Sequence, residues 1–472
     1  MKKIYVIVPL VFFVIAFSQC NKAGYFPDSG YDERLSGGLA TETTFDESAS
    51  ALSHMIDGLG DRDQTVHSIG DATFSHTFIP PADSLKASIM PFAVLGPIFN
   101  NISCVSCHRN DGEGVPTAGF SNSGLLVRLS LPGFDENGGP LGVPGFGGQL
   151  QDKAMIGTIP EASVQITYID TTVTYLDGTI VILRKPSYSF SNPGNYMQLP
   201  PNVMYSPRLA PPLVGLGLLE IVPEQTILSF VDATDANGDG ITGKANYAFD
   251  VVTKKMELGR FGVKANTPTL LTQVAAAFQQ DMGITSFVFP QESSFGQSQY
   301  TAKLPYAYDT DPELADSILN YTAFYVQTLA VPARRSVSDP DVKRGENLFT
   351  QINCAGCHKP TMQTGVDVTK PILSNQRIHP YTDLLVHDMG PGLADGRPDY
   401  LANGNEWRTA PLWGRGMLEK ANGIPYFLHD GRARSFEEAI LWHDGEAKKS
   451  KQQFMQLNAA DRANVIKFLQ SL

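Results

Sequence analysis

Two short stretches place sulfur and imidazole at the same spacing: Cys104-Val-Ser-Cys107-His108 and Cys354-Ala-Gly-Cys357-His358. On one helical turn, thiols at i and i+3 share a side, and a histidine at i+4 follows just beyond them. Two thiols so placed can each add to a vinyl group of one haem, and the histidine beneath the ring then binds iron through an imidazole nitrogen. The pattern predicts two covalently bound c-type haems, with His108 and His358 as proximal iron ligands. A single C-x-x-C pair would also suit a zinc half-site or a redox dithiol, and two pairs could build one four-cysteine zinc site. The histidine directly after each pair favours haem.

The fifth cysteine, Cys20, follows Met-Lys-Lys and an apolar run from Ile4 to Phe17. That pattern reads as a bacterial export signal over residues 1–20, cut so that Cys20 is acylated; ordinary cleavage with a free thiol is the alternative. The run is shorter than the roughly 20 residues a spanning helix needs. The expected location is the cell envelope, on the periplasmic side, with membrane contact only through the lipid on Cys20. One cysteine for lipid and four for haem leave none for a disulfide framework or a thiol–disulfide relay.

The chain has 472 residues, 42% of them hydrophobic and 18% charged, with a net charge of −12. It is long enough for a sizeable core, and the acidic balance without a Lys/Arg-rich run argues against a nucleic-acid partner. The expected partner is a redox protein or a small electron donor or acceptor. With 43 Gly and 32 Pro, many loops are expected.

Around the motifs, the fold class expected is mainly α: two cytochrome c-like haem domains, the first carrying a β-rich insertion. Residues 21–90 read as a polar N-terminal extension, 91–331 as the first haem domain and 340–472 as the second. The insertion, about 120–200, alternates apolar and polar residues in short runs such as Ala162-Ser-Val-Gln-Ile-Thr-Tyr-Ile. Helices are expected over 206–230, over 267–283 behind a Thr cap, over 311–331, and from Ala459 to Leu472.

Longer blocks carry a family resemblance. They include Leu95-Gly-Pro-Ile-Phe-Asn-Asn, Ser206-Pro-Arg-Leu-Ala-Pro-Pro-Leu, Gly259-Arg-Phe-Gly-Val-Lys264-Ala, Glu406-Trp-Arg-Thr-Ala-Pro-Leu-Trp413 and Glu438-Ala-Ile-Leu-Trp-His443-Asp-Gly. From about Arg34 to Leu472 the chain resembles the di-haem oxidoreductases, some labelled thiol oxidoreductases, which are distantly similar to bacterial di-haem cytochrome c peroxidases. One position departs: Val263 stands where relatives usually carry Trp, which casts doubt on an electron-hopping route through it.

The resemblance implies further site residues. Register places His443 as the distal ligand of the second haem, with Met389 and His387 as alternatives. His387 and His429 also fit plain hydrogen-bond networks. For the first haem no distal histidine follows the motif; His54, His67 or His76 could fold back, or the sixth position stays open for peroxide. A glutamine and a carboxylate on one helix serve that position in relatives, which points to Gln273 and Asp281 as catalytic, with Glu220 a further acid–base candidate in an apolar context. Arg208 and Lys264 are expected at haem propionates, although each of these polar residues would equally serve as a cap or an ion pair. Separately, Asp235, Asn237 and Asp239 hold loop positions 1, 3 and 5 of a calcium-like pattern with Gly240 at 6, but position 12 is Asn246 rather than Glu, so a plain Asp/Asn/Gly turn competes.

Two functions fit. One is a peroxidase-like oxidoreductase, in which one haem meets a small oxidant and the other relays electrons. The other is a pure electron-transfer cytochrome with no small-molecule substrate. The sixth position of the first haem separates them.

Overall fold

The computed structural model describes residues 32–472 apart from 80–94, 118–122, 156–157, 193, 195 and 294–311. The export signal and Cys20 lie outside the described residues. Helix α1 (Asp61–Ser75) is mostly polar but turns His67, Gly70, Thr73 and Phe74 inward. Strands β1 (Leu125–Phe134), β2 (Ser163–Thr174), β3 (Ile180–Ser191) and β4 (Met204–Leu209) follow. Helices α2 (Leu270–Met282) and α3 (Asp316–Gln327) complete the surroundings of the first motif. Around the second stand α4 (Pro340–Gln351), α5 (Phe436–Trp442) and α6 (Ala459–Ser471).

This is not a mainly α protein. Helix accounts for about 30% and strand for about 20%, the strand divided among many small sheets. The physical reason lies in the loops and ladders. Residues 206–230, expected to be helical, enter as β4 and continue as two helices of five residues each, Leu216–Glu220 and Glu224–Leu228. Antiparallel β4 pairs with β1, Leu125 opposite Leu209. Strands β2 and β3 form a long hairpin, Ser163 opposite Ser191 and Thr174 opposite Ile180.

Elsewhere local signals hold. The Thr269 side chain caps α2 by accepting from Thr272 N (3.2 Å), and Gly283, at φ 68°, ends it. Leu270, Val274, Ala275, Phe278 and Met282 form its buried stripe. Helices α4 and α6 cross closely, where a side chain at Gly345 would strike the Asn464 carbonyl. Phe349 of α4 and Phe468 of α6 meet there, ring centres 5.2 Å apart. Far-apart segments are sewn together by short ladders: Thr41–Glu42 pairs in parallel with Val331–Pro332. Residues Arg34–Leu472 form one compact unit. No helix among the described residues is long and apolar enough to cross a membrane.

Candidate active site

Each C-x-x-C-H motif opens into its own cavity. Cys104, Cys107 and His108 line one of about 490 Å³. Cys354, Cys357 and His358 line a second of about 220 Å³. The two pairs therefore do not build one four-cysteine metal site. Burial pushes the Cys104 and Cys354 thiols up to about 12. Leu209, Ala210, Pro211, Val263, Arg408 and Arg415 line both cavities and so form a common wall.

The imidazoles are held alike. His108 Nδ1 donates to the Pro211 carbonyl (2.9 Å) and His358 Nδ1 to that of Tyr381 (2.8 Å). His443, capping the C-terminus of α5, donates Nδ1 to Ala439 O (2.7 Å) and lines the second cavity with His358. A backbone carbonyl on Nδ1 fixes the tautomer and leaves Nε2 as the free metal donor. Burial holds His108 and His358 down at about 4 and lowers His443 as well, so all three are neutral and able to bind metal. Phe74 of α1 lies 6.0 Å from the His108 ring, and Phe349 of α4 lies 6.2 Å from that of His358.

The competing histidines are engaged elsewhere. In the second cavity His387 spends both nitrogens, on Asp383 (2.8 Å) and Glu446 (2.7 Å). Burial opposes its charge, but Asp383 and Cys357 raise its pKa well above the ordinary value. The grouping of Cys357, Asp383 and His387 is thus a buried ion pair beside a thiol. His429 stacks flat on Trp407, centres 3.6 Å apart. Met389 also lines this cavity. Around the first cavity, His54 pairs with Asp46 (2.8 Å) and His67 bonds Thr328 (2.7 Å). Neither these nor His76 lines it, and Met282 is the additional sulfur in its wall.

Gln273 and Asp281 both line the first cavity from α2. Asp281 accepts from Gln149 Nε2 (2.7 Å), and its backbone carbonyl takes the Asn100 and Asn101 N–H groups (2.8 and 3.1 Å). The Asn101 side chain reaches Cys107 Sγ (2.8 Å), so Asp281 stands beside the motif. Burial raises its pKa, against the pull of Arg128. Arg208 lines the same cavity and pairs with Asp399 at 2.5 Å.

Two expected residues work elsewhere. Glu220 lines neither cavity; it accepts from Leu270 N and from Gln327 Nε2, both at 2.7 Å, tying the start of α2 to the end of α3. Lys264, fully buried, donates to Asp395 (2.9 Å) and to the carbonyls of Arg397 and Asn403 (each 2.8 Å). Its three protons are thereby spent, and it lines neither cavity. In the 235–246 loop, Asp235 accepts from Gly240 N (3.0 Å), and Asp239 accepts from Ile241 N (2.8 Å) and from Asn353 Nδ2 (3.2 Å). That loop braces the residue before Cys354, and its carboxylates form no metal-ligand grouping among the described residues.

Residues without an expected role also stand out. Arg128, Arg397, Arg408, Arg415 and Trp407 all line the cavities. Arg128 Nε, Arg397 Nε and Arg408 Nη1 are buried without a hydrogen-bond partner among the described residues. Such orphaned cationic donors fit a cofactor that brings carboxylates. Together with the neutral imidazoles aimed into two cavities, they suit haem.

The family described as "Di-haem oxidoreductase, putative peroxidase" matches residues 31–472. The chain belongs to this family. As a di-haem oxidoreductase it is a haem protein, in agreement with the two cavities. No curated protein matches it. Among solved structures, a chain of hydrazine synthase from Kuenenia stuttgartiensis is 13% identical, covering 55% of this chain and 87% of that one, with a TM-score of 0.24. A likeness that low carries no argument about this oxidoreductase.

Proposed function

We propose that this di-haem oxidoreductase is an exported, peroxidase-like enzyme carrying two c-type haems. Cys104 and Cys107 hold one and Cys354 and Cys357 the other, with His108 and His358 as proximal ligands and His443 as the distal ligand of the second. The first haem meets a small oxidant; the second collects electrons from a redox protein or small donor. One observation carries the reading. Besides the engaged His387 and His429, the smaller cavity is lined by His443 with its Nε2 free to face His358, whereas among the described residues the larger has His108 as its one lining imidazole and Gln273 and Asp281 in its wall. Calcium is not part of this proposal.

The bound haems would supply one-electron chemistry. Reducing peroxide to water takes two electrons and two protons; one proton passes through Asp281 and the other comes from solvent. Asp281, whose pKa burial raises, donates a proton to the departing oxygen, and Gln273 orients the oxidant by hydrogen bonding.

Optical and EPR spectra of the purified holoprotein, followed by peroxide, test the reading. One high-spin haem that reacts with peroxide, and one low-spin haem without a methionine band in the near-infrared, are expected. Two low-spin, unreactive haems would leave an electron carrier instead, and a methionine band would remove His443 as ligand.

The proposal also includes lipid anchoring at Cys20, read from the signal-like start of the sequence. Mass spectrometry of the mature protein should show an acylated Cys20 at its N-terminus; a start at Asn21 or later would refute the anchor.

A further inference from the structure

The common wall of the two cavities contains a cation, Arg408, with no ion pair among the described residues. Arg408 donates Nε to the Gly262 carbonyl (2.8 Å), and its Nη1 is buried without a partner among the described residues. No carboxylate forms an ion pair with it among the described residues, and burial together with the neighbouring Arg415 lowers its pKa to about 10. Arg415 lies along the same wall. It donates Nε to Pro411 O (2.9 Å) and meets the Glu113 carboxylate only at 3.7 Å. Glu113 is itself a poor counter-ion: burial raises it to about 8, and it already accepts from Tyr426 N.

Two buried guanidiniums therefore share no close carboxylate partner: Glu113 is partly protonated, and Asp383, which acts on Arg408 from beyond ion-pair distance, is already bound to His387. An uncompensated buried charge is costly and calls for an anion from outside the chain. Of the other cations nearby, Arg208 and Arg397 share Asp399, at 2.5 and 3.0 Å, and Arg128, whose Nε is also unpartnered among the described residues, borders only the first cavity. The position of the deficit is what matters. Arg408 and Arg415 border both cavities, so anions reaching them from either side share the same positive charge.

We propose that Arg408 and Arg415 form a propionate clamp common to both haems, a shared positive wall that raises both reduction potentials together. The inference rests on the haem reading above. A fixed positive charge favours the ferrous form, which carries one charge fewer, and inside the protein the effect reaches past contact distance. Guanidinium geometry suits paired carboxylate recognition, and Arg408 receives no such partner among the described residues.

The test is redox titration of the holoprotein, with haem content measured by pyridine haemochrome, for the native chain and for Arg408→Gln, Arg408→Lys and Arg415→Gln. In Arg408→Gln both haems should shift roughly tenfold toward the ferric form, about 59 mV for a one-electron couple. Arg408→Lys, which keeps the charge, should restore most of the shift. Arg415→Gln should move both haems the same way, so the proposal stays falsifiable if Arg408→Gln fails to fold. Unchanged potentials in a fully haem-loaded variant would overturn the clamp, and so would a shift confined to one haem. Absence of haem from the native protein would overturn the haem reading itself, a result the haemochrome assay separates from the others.

Discussion

Asp281→Asn lowers peroxide turnover by about 10²–10⁴-fold, the usual weight of a positioned general acid. Asparagine matches the carboxylate in shape and still meets Gln149 across its 2.7 Å bond, so the spectra of both haems should stay as they are. What asparagine lacks is the proton to give. The pH profile adds a second readout. Burial raises the Asp281 pKa, so the acid form persists above the ordinary carboxylate range. Native turnover should fall as pH rises through that raised value, and the asparagine variant should lack this limb. Stopped-flow peroxide kinetics measure both. Full turnover in the variant would remove Asp281 from the chemistry and leave it a polar plug beside Cys107.

Lys264→Met destabilises the fold by about 3–5 kcal/mol, the cost of stranding one partner of a buried ion pair. Asp395, whose side chain is 2% exposed, would lose its counter-charge, and the Arg397 and Asn403 carbonyls would lose their donor. Urea unfolding of the holoprotein followed by tryptophan fluorescence reads the loss. A double variant with Asp395→Leu should recover a large part of it, because the stranded carboxylate goes too. Below the transition the haem potentials should move less than in Arg408→Gln, since Lys264 borders neither cavity and its charge is balanced by Asp395. Shifted potentials with unchanged stability would instead return Lys264 to a propionate.

These two residues also show what the sequence could and could not reveal. Gln273 and Asp281 sit eight apart on a helix announced by its own Thr269 cap, and a local pattern suffices to put them on one face. His443 likewise follows a short capped helix, Ser435 accepting from Glu438 N (3.1 Å). Lys264 and Glu220 are different. Their types suggested chemistry, but their partners lie far along the chain, Asp395 for one and Gln327 for the other. Nothing local distinguishes a lysine bound for a cofactor from one bound for an ion pair. Arg408 was visible within Glu406-Trp-Arg-Thr-Ala-Pro-Leu-Trp413, but an unmatched charge is a property of tertiary surroundings.

The same logic explains the fold class. Haem motifs and terminal helices suggest a helical protein, because each of those signals is local. Ladders such as Thr41 with Val331 depend on segments that meet only after folding, and they leave little periodicity behind. Helix α1 was hidden for a related reason: its inward face has just His67, Gly70, Thr73 and Phe74 among polar neighbours.

The hairpin of β2 and β3 has a reach that bears on how such a protein can change over time. At its tip, Tyr175 OH donates to Glu437 (2.8 Å), and Arg462 of the last helix both covers the Tyr175 ring (3.8 Å) and pairs with Asp177 (2.6 Å). The strap thus leaves the part of the chain that carries the first motif and fastens onto the part that carries the second. Trading residues 340–472 for those of a relative would break the fastening unless the hairpin travelled with them. The two motif-bearing parts are thereby coupled, so that substitutions at the hairpin tip and in the last helix constrain one another.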